Sequence, residues 1–344
     1  MMPSSRRDTA ESATPLAAEM LAAIEAELQA ALQGWLAEPY AEMGAMVRHH
    51  FGWEPGGAPG KRVRPLLTLL AAAGAGADWK RVVPAAAAVE ILHNFSLVHD
   101  DIEDASETRR GRTTMWKRWG IPQALNTGDF LYVASHFAVR RLMDLGVSES
   151  TAYAAQRELD QACHQLTLGQ YLDLAFEHRA TVTADEYLKM VGGKTAALLS
   201  AAAAIGARVA EAALPLVDAY RTFGRRLGMA FQMLDDLLGI WGEPDATGKS
   251  ASDDLRHGKK TYPVVLGLQR SPVFARLWVA GRTATPDVDG MRRALEAAGI
   301  DRATRREAER FTQDAMDALQ EAEPRPPAAD ELRALAKRLL GRDR

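Results

Sequence analysis

The chain has 344 residues, 47% hydrophobic and 25% charged, with a formal net charge of −3. This is the composition of a globular protein, and a balance so near neutrality argues against nucleic acid as the main partner. One cysteine, Cys163, excludes an internal disulfide framework and any thiolate metal cluster, and it suits a reducing cytoplasm.

Residues 1–13 read as a flexible N-terminal tail. They hold two arginines but no apolar run before a cleavage site, and Asp8 and Glu11 are residues a transit peptide avoids. From residue 14 onward, apolar residues recur at three- and four-residue spacing, while alternating β-branched runs closed by Asn-Gly or Asp-Gly are absent. Helices are expected over 15–50 (as one or two), 61–77, 81–104, 121–145, 148–178, 184–210, 213–241, 259–269, 286–298, 302–320 and 328–340. "GWEPGGAPG" (52–60) is a loop, "EPDATGKSASDDLRHG" (243–258) a polar flexible loop and "EAEPRPPAAD" (321–330) a linker. No stretch is expected to reach the length of a membrane span, neither "LLTLLAAAGAGA" (66–77) nor "LLSAAAAIGARVAEAALPL" (198–216). The first is too short, and Arg208, Glu211 and Pro215 break the second. The expectation is a cytoplasmic protein with a single all-α domain over 14–344, a bundle of ten or more helices.

"HDDIEDASETRRG" (99–111) crowds three aspartates, two glutamates and two arginines into little more than three helical turns. Asp100 and Asp104 stand four apart on one face, and Asp101 leans toward it, so like charges meet unless a cation intervenes. A second acidic turn lies in "FQMLDDLLG" (231–239), where Asp235 and Asp236 are flanked by Met233, Leu234, Leu237 and Leu238. A lone short acidic motif is more often a solvated helix face. That bland reading fits the second turn poorly, because ionised groups close to a core need a counter-charge. Oxygen donors without histidine or cysteine suit Mg²⁺ or Mn²⁺ rather than zinc. Mg²⁺ takes one or two carboxylates and completes its shell with water and phosphate, so two facing acidic turns would clamp a diphosphate through several ions. Basic residues occur where such a ligand needs them. Lys61 and Arg64 open a helix after "GGAPG", Arg109 and Arg110 follow the first acidic turn, and Lys194 and Thr195 stand in "VGGKTAA". Lys249 and Lys259 lie in and just beyond the polar loop. Each alone reads as a surface cation; beside glycines, prolines and acidic turns they favour a phosphate role. "GGKTA" lacks the upstream glycine of a P-loop.

With these motifs in order, the chain resembles the trans-prenyltransferases, the polyprenyl diphosphate synthase family. The likeness is carried by "GKRVRP" (60–65), "HNFSLVHDDIED" (93–104), "RRGRTT" (109–114), "NTGD" (126–129), "LGQYLDL" (168–174), "GGKTA" (192–196), "FQMLDD" (231–236), "TGK" (247–249) and "DLRHGKKTYP" (254–263). It implies the isoprenoid synthase type I fold, with helices around a central substrate cavity. It also implies the activity: isopentenyl diphosphate attacks the cation left by an ionised allylic diphosphate, and the chain grows by five carbons. The absence of a Ser-His-Asp or Cys-His arrangement agrees with a reaction that needs no covalent nucleophile.

By this resemblance the metal-binding residues are Asp100, Asp101, Asp104, Asp235 and Asp236, with Asp100 and Asp104 holding two Mg²⁺ ions and Asp235 a third (Mn²⁺ can substitute). Arg109, Lys194, Lys249 and Lys259 serve the allylic diphosphate, and Lys61, Arg64, His93 and Arg110 the isopentenyl diphosphate. Gln170, Asp173, Thr195 and Gln232 line the reacting centre. Residue 239 is glycine where the family has a third aspartate, and activity is expected to survive the change. The growing tail runs down beside the helix that carries Asp100, with Phe95 roughly 7.5 Å and Leu92 roughly 12 Å below it. Ser96 leaves room and Phe95 forms a partial floor, a pattern that resembles C20 makers, with C15 next; Phe130 on the neighbouring helix is another candidate floor. The resemblance implies a homodimer. A class I terpene cyclase and a non-catalytic subunit of a heteromeric synthase are the competing readings. The first does not need Lys61, Arg64, His93 and Arg110, and the second loses acidic turns.

Overall fold

The structure is a computed structural model that describes residues 14–57, 59–242 and 252–341. It is helical almost throughout, as the three- and four-residue spacing predicts. The chain divides into two compact units, Met1–Leu69 with Trp79–Leu145, and Leu70–Asp78 with Gly146–Arg344.

In the first unit, α1 (Pro15–Gln33) starts where the Thr14 hydroxyl accepts a hydrogen bond from the Ala17 amide, and it buries Ala17, Met20, Ile24, Leu28 and Leu32 at three- and four-residue steps. The segment expected at 15–50 is therefore two helices, α2 being Ala41–Phe51. After α3 (Val63–Gly74), α4 (Val83–Glu103) packs along α6 (Ile121–Arg140) and against α1. Between α4 and α6 lie two elements that the periodicity does not reveal, a small hairpin and α5 (Met115–Trp119). The hairpin strands, Thr108–Arg109 and Arg112–Thr113, join through Arg110 (φ 53°) and Gly111 (φ 71°). Positive φ at both central residues is the primed turn that matches strand twist. Arginine in place of asparagine or aspartate hides it.

In the second unit, α7 (Glu149–His178) is capped by Ser148 and α8 (Ala184–Val191) by a Thr183–Glu186 capping box. A π-helical turn, Gly192–Ala196, separates α8 from α9 (Ala197–Val209), so the single helix expected over 184–210 is interrupted. Helix α9 is buried nearly all round between α7 and α10 (Leu214–Trp241). The remaining helices are α11 (Asp253–Arg256), α12 (Tyr262–Arg270), α13 (Pro272–Gly281), α14 (Val288–Ala297), α15 (Ile300–Glu321) and α16 (Ala328–Leu340). The sequence reading has no counterpart of α13, which starts at Pro272 directly after the Ser271 cap. Cys163, on α7, is buried, and burial pushes its thiol up to about 11.

Two stretches, Trp79–Glu103 and Ala184–Val209, are long and apolar enough to cross a bilayer, each holding an 18-residue window with a mean hydropathy of 1.3. This corrects the expectation that no segment reaches that length: most charges of these alanine-rich helices lie near their ends and leave a largely apolar run of spanning length between them. Their apolar windows are 72% and 94% buried inside the protein, as core helices are.

Candidate active site

The first acidic turn closes α4. Asp100 and Asp101 lie in its last turn and Asp104 is its C-cap, with no basic residue of the helix beside them. Carboxylates at a helix C-terminus oppose the macrodipole as well as one another, so the turn calls for a cation from outside the helix. Arg109, on the first hairpin strand, supplies one. Its Nε donates to Asp101 Oδ1 at 2.8 Å and its Nη2 to Asp100 Oδ2 at 3.1 Å. Asp101 is only 2% exposed, and burial raises its carboxyl to about 6 against the pull of Arg109. Asp104 is exposed. The adjacent aspartates thus differ: Asp101 is buried, Asp100 is half-buried on Arg109, and Asp104 is exposed.

The basic residues of this unit separate in the same way. Arg62, at φ 49°, is buried and pairs with Glu90 (2.9 Å) and Glu25 (3.0 Å), so it belongs to the fold. Arg64, two residues on, has no carboxylate partner among the described residues; its Nη1 donates to His93 Nε2 at 3.1 Å and its Nε is buried without a partner. Burial holds the His93 pKa well below 6.5, aided by Arg64, Arg110 and Arg109, so His93 accepts as a neutral ring. Arg110 crosses the space above Gly60, where a Cβ would come within 2.8 Å of its guanidinium. Lys61 is exposed beside them. His49, a residue the sequence reading passed over, fastens this cluster: its Nδ1 lies 2.8 Å from Glu54 Oε2 and its Nε2 donates to the Thr113 carbonyl at 2.8 Å. One ring therefore ties the 52–60 loop to the hairpin. A cluster of positive side chains of this kind suits an anionic ligand.

Upstream on α4, Leu92 is fully buried, and the Ser96 hydroxyl donates to the His93 carbonyl at 2.8 Å. The Phe95 ring packs against His99 (4.9 Å between centroids) and against Tyr132 of α6 (5.3 Å). The α6 aromatic against Phe95 is thus Tyr132; Phe130 is half-buried. Gly128 of "NTGD" admits His99, whose Nε2 would lie 2.2 Å from a Cβ there.

In the second unit, Gly169 and Gly193 let α7 and the π turn meet backbone to backbone. A Cβ on Gly169 would lie 2.1 Å from the Lys194 amide nitrogen, and one on Gly193 2.6 Å from the Gln165 carbonyl. The approach sets Lys194 Nζ 2.5 Å from Asp173 Oδ2, one turn beyond Gly169. Gln170, on the same helix, is half-buried. The π turn's next residue, Thr195, donates to Gln232 Oε1 at 2.8 Å, and Gln232 Nε2 donates to Asp236 Oδ1 at 3.0 Å. Asp236, 2% exposed, also accepts from the Tyr187 hydroxyl (2.6 Å) and the Tyr262 amide (3.0 Å). Burial raises its carboxyl to about 7, with those hydrogen bonds and Lys259 opposing. Asp235 beside it is exposed. The pattern of the first turn repeats: one aspartate is anchored by the protein and its neighbour is offered outward. Protein atoms crowding Lys259 disfavour its charge, but Asp254, Asp173 and Asp236 outweigh them and raise its pKa. Lys249 lies outside the described residues.

Among the described residues no three histidines, cysteines or carboxylates are gathered closely enough to hold a metal by themselves. Mg²⁺ needs only one or two carboxylates when phosphate and water complete its shell. The donor sets fit: oxygen only, exposed at Asp104 and Asp235 and half-buried at Asp100, with the Arg109 guanidinium standing as the counter-cation of Asp100 and Asp101.

Residues 53–297 match the polyprenyl synthetase family. The chain is 40% identical over 296 residues to a geranylgeranyl diphosphate synthase of Mycobacterium tuberculosis, covering 83% of each. It is 45% identical over 228 residues to a (2E,6E)-farnesyl diphosphate synthase of Mycobacterium bovis, covering 64% of this chain and 62% of that one. A crystal structure of geranylgeranyl pyrophosphate synthase from Corynebacterium glutamicum, complexed with isoprenyl diphosphate and magnesium, aligns with a TM-score of 0.80 at 28% identity, over 95% of this chain and 98% of that one. The chain belongs to the polyprenyl synthetase family and is a trans-prenyltransferase that condenses isoprenoid units into a prenyl diphosphate.

Proposed function

We propose that this synthase joins isopentenyl diphosphate to an allylic diphosphate with Mg²⁺ and stops at C20 geranylgeranyl diphosphate, with C15 farnesyl diphosphate as the next product. The reading takes 14–344 as one catalytic domain, homodimeric by family analogy, in the cytoplasm. The observation that carries the chain length is Phe95: a large ring five residues before Asp100, held by Tyr132 and His99, beside a serine whose hydroxyl is turned onto its own helix. A floor of one aromatic closes the space less than two would. Relatives include both geranylgeranyl and farnesyl diphosphate synthases.

In this reading Lys61, Arg64 and Arg110 hold isopentenyl diphosphate, with neutral His93 orienting Arg64. Lys194, positioned by Asp173, and Lys259 draw in the allylic diphosphate, and Lys249 is assigned to it by the family likeness alone. Asp100, Asp104 and Asp235 would hold Mg²⁺, which supplies the charge that lets the diphosphate depart. The Thr195–Gln232–Asp236 chain fixes hydroxyl and amide dipoles whose oxygen ends stabilise an allylic cation without attacking it. The buried aspartates Asp101 and Asp236 keep these arms in place.

The test is incubation with Mg²⁺, labelled isopentenyl diphosphate and C10 or C15 allylic diphosphates, with products sized by chromatography. C20 product is expected, shortened by Ser96→Phe and absent in Asp100→Ala. A cyclic hydrocarbon formed without isopentenyl diphosphate would identify a cyclase instead, and no turnover with any starter would identify a non-catalytic subunit.

A further inference from the structure

Lys259 and Lys260 are neighbours in the chain with opposite surroundings. Lys259 is exposed, whereas Lys260 is only 8% exposed. A lysine so deeply buried needs a partner for its charge. Its ammonium finds two backbone carbonyls at the end of α7: Nζ donates to the Phe176 oxygen and, at 3.2 Å, to the Glu177 oxygen. The last carbonyls of a helix have no partner within it and form the negative end of its dipole, so a cation there answers both needs. The cap reaches Glu177 from 83 residues away in the chain.

The backbone turns tightly at this lysine. The Thr261 amide donates to the Lys259 carbonyl at 3.1 Å, a three-residue turn with Lys260 at its centre. Before the turn, the Lys259 amide donates to the Asp254 carbonyl at 2.9 Å, and Asp254, Asp173 and Asp236 favour the charge on the Lys259 side chain. After it, Thr261 is 1% exposed and leads into α12, where the Tyr262 amide donates to Asp236 Oδ2 at 3.0 Å. Asp173, the partner of Lys194, stands one turn before the carbonyls that Lys260 holds. One ammonium thus ties the end of α7 to the segment between α11 and α12.

We propose that Lys260 is a positioning residue for the transfer reaction: by pinning the 259–261 turn to the end of α7, it holds Lys259 among Asp173, Asp236 and Asp254. Its own ammonium is engaged by the two carbonyls, so it acts through Lys259 and not on the substrate. The inference rests on the reading of Lys259 as a residue that draws in the allylic diphosphate, and it deepens that reading by naming what keeps Lys259 in place. The competing reading is a helix cap that serves the fold and has no bearing on Lys259.

The experiment uses the full-length protein with Lys260→Met, which keeps the length of the side chain and removes its donors, and Lys260→Gln, which is shorter and stays polar. Each is made alone and together with Lys259→Ala, and KM is measured for isopentenyl diphosphate and for a C10 allylic diphosphate. Hydrogen–deuterium exchange of the 259–262 amides and thermal melts run in parallel. Lys260→Met is expected to speed exchange at 259–262 and to raise the allylic KM roughly 10-fold, within the range by which residues of one network couple. The isopentenyl KM should stay within about twofold of wild type, as for an independent site. In the Lys259→Ala background the same substitution should raise the allylic KM no further, because the side chain it positions is gone. Where Lys260→Met does not fold, Lys260→Gln is read in its place. Equal rises in both KM values, an unchanged allylic KM, or an undiminished rise in the Lys259→Ala background overturns the inference. So does failure of both Lys260 variants to fold, which would assign Lys260 to the fold alone. An allylic KM that Lys259→Ala itself leaves unchanged overturns the underlying reading of Lys259, so the two failures are told apart.

Discussion

Lys61 and Lys194 are assigned to different diphosphates, and one pair of variants separates them. A charge-assisted contact of roughly 1.5–3 kcal/mol corresponds to about a 10- to 150-fold change in affinity. Lys61→Ala is expected to raise KM for isopentenyl diphosphate by that factor and to leave the allylic KM nearly unchanged; Lys194→Ala should do the reverse. Equal changes for both substrates in both variants would refute the division. The candidate residues themselves were legible because like charges at helical spacing contradict stability and so announce a ligand. What the sequence withheld was the division of labour within each pair. Asp100 and Asp101 carry the same letter, and only burial and the position of Arg109 distinguish them. Arg62 and Arg64 look alike until Glu25, 37 residues before Arg62, is seen to claim the first. His49 had no signal at all, since its two partners come from a loop and a hairpin that helical periodicity does not report.

At the scale of elements, long helices with an apolar stripe were read correctly because burial imposes the 3.6-residue period on them. The hairpin and α5 are too short to show a period, α13 buries only Phe274 and Trp278 and so marks no apolar stripe, and the π turn hides inside a longer helix. That turn offers the sharpest test of how an element places a side chain. Gly169→Ala drives a methyl into the Lys194 backbone, which cannot move aside as a flexible side chain could. We expect a loss of roughly 1–3 kcal/mol in unfolding free energy, measured by denaturant titration, together with a raised allylic KM as Lys194 shifts. Gly34→Ala is the control: its Cβ would meet nothing nearer than 3.9 Å at an ordinary helical φ of −59°. Little change or a slight gain in stability is expected there. Equal losses in both variants would show that the close approach of α7 to the π turn has no special role.

For the molecule as a whole, buried titratable groups make stability depend on pH in opposing directions. Burial and the surrounding arginines hold His50 at about 3, and His93 is also well below 6.5. Neutral histidines stabilise fully above 6.5, and that stability drains away as pH falls from 6.5 toward their folded values, because the unfolded chain takes up protons that the fold refuses. Asp101, at about 6, and Asp236, at about 7, act oppositely. Between those values and 3.8 the fold holds protons that the unfolded chain has released, so acidification adds stability there. The two trends offset, and wild-type stability should change little from pH 7 to 4 and fall below that. His50→Gln removes one histidine from this balance. The unfolding free energy of the variant minus that of the wild type should rise by about 1.4 kcal/mol for each pH unit below 6.5. A pH-independent difference would mean that His50 is not neutral in the fold. The single cysteine has a practical consequence. Cys163 is buried and its thiol is pushed to about 11, so alkylating reagents at neutral pH should leave it nearly untouched. A cysteine introduced on the exposed hairpin, for instance by Thr108→Cys, would then be the only reactive thiol, and a spin or fluorescent label attached there would show whether the hairpin moves during turnover, without any background mutation.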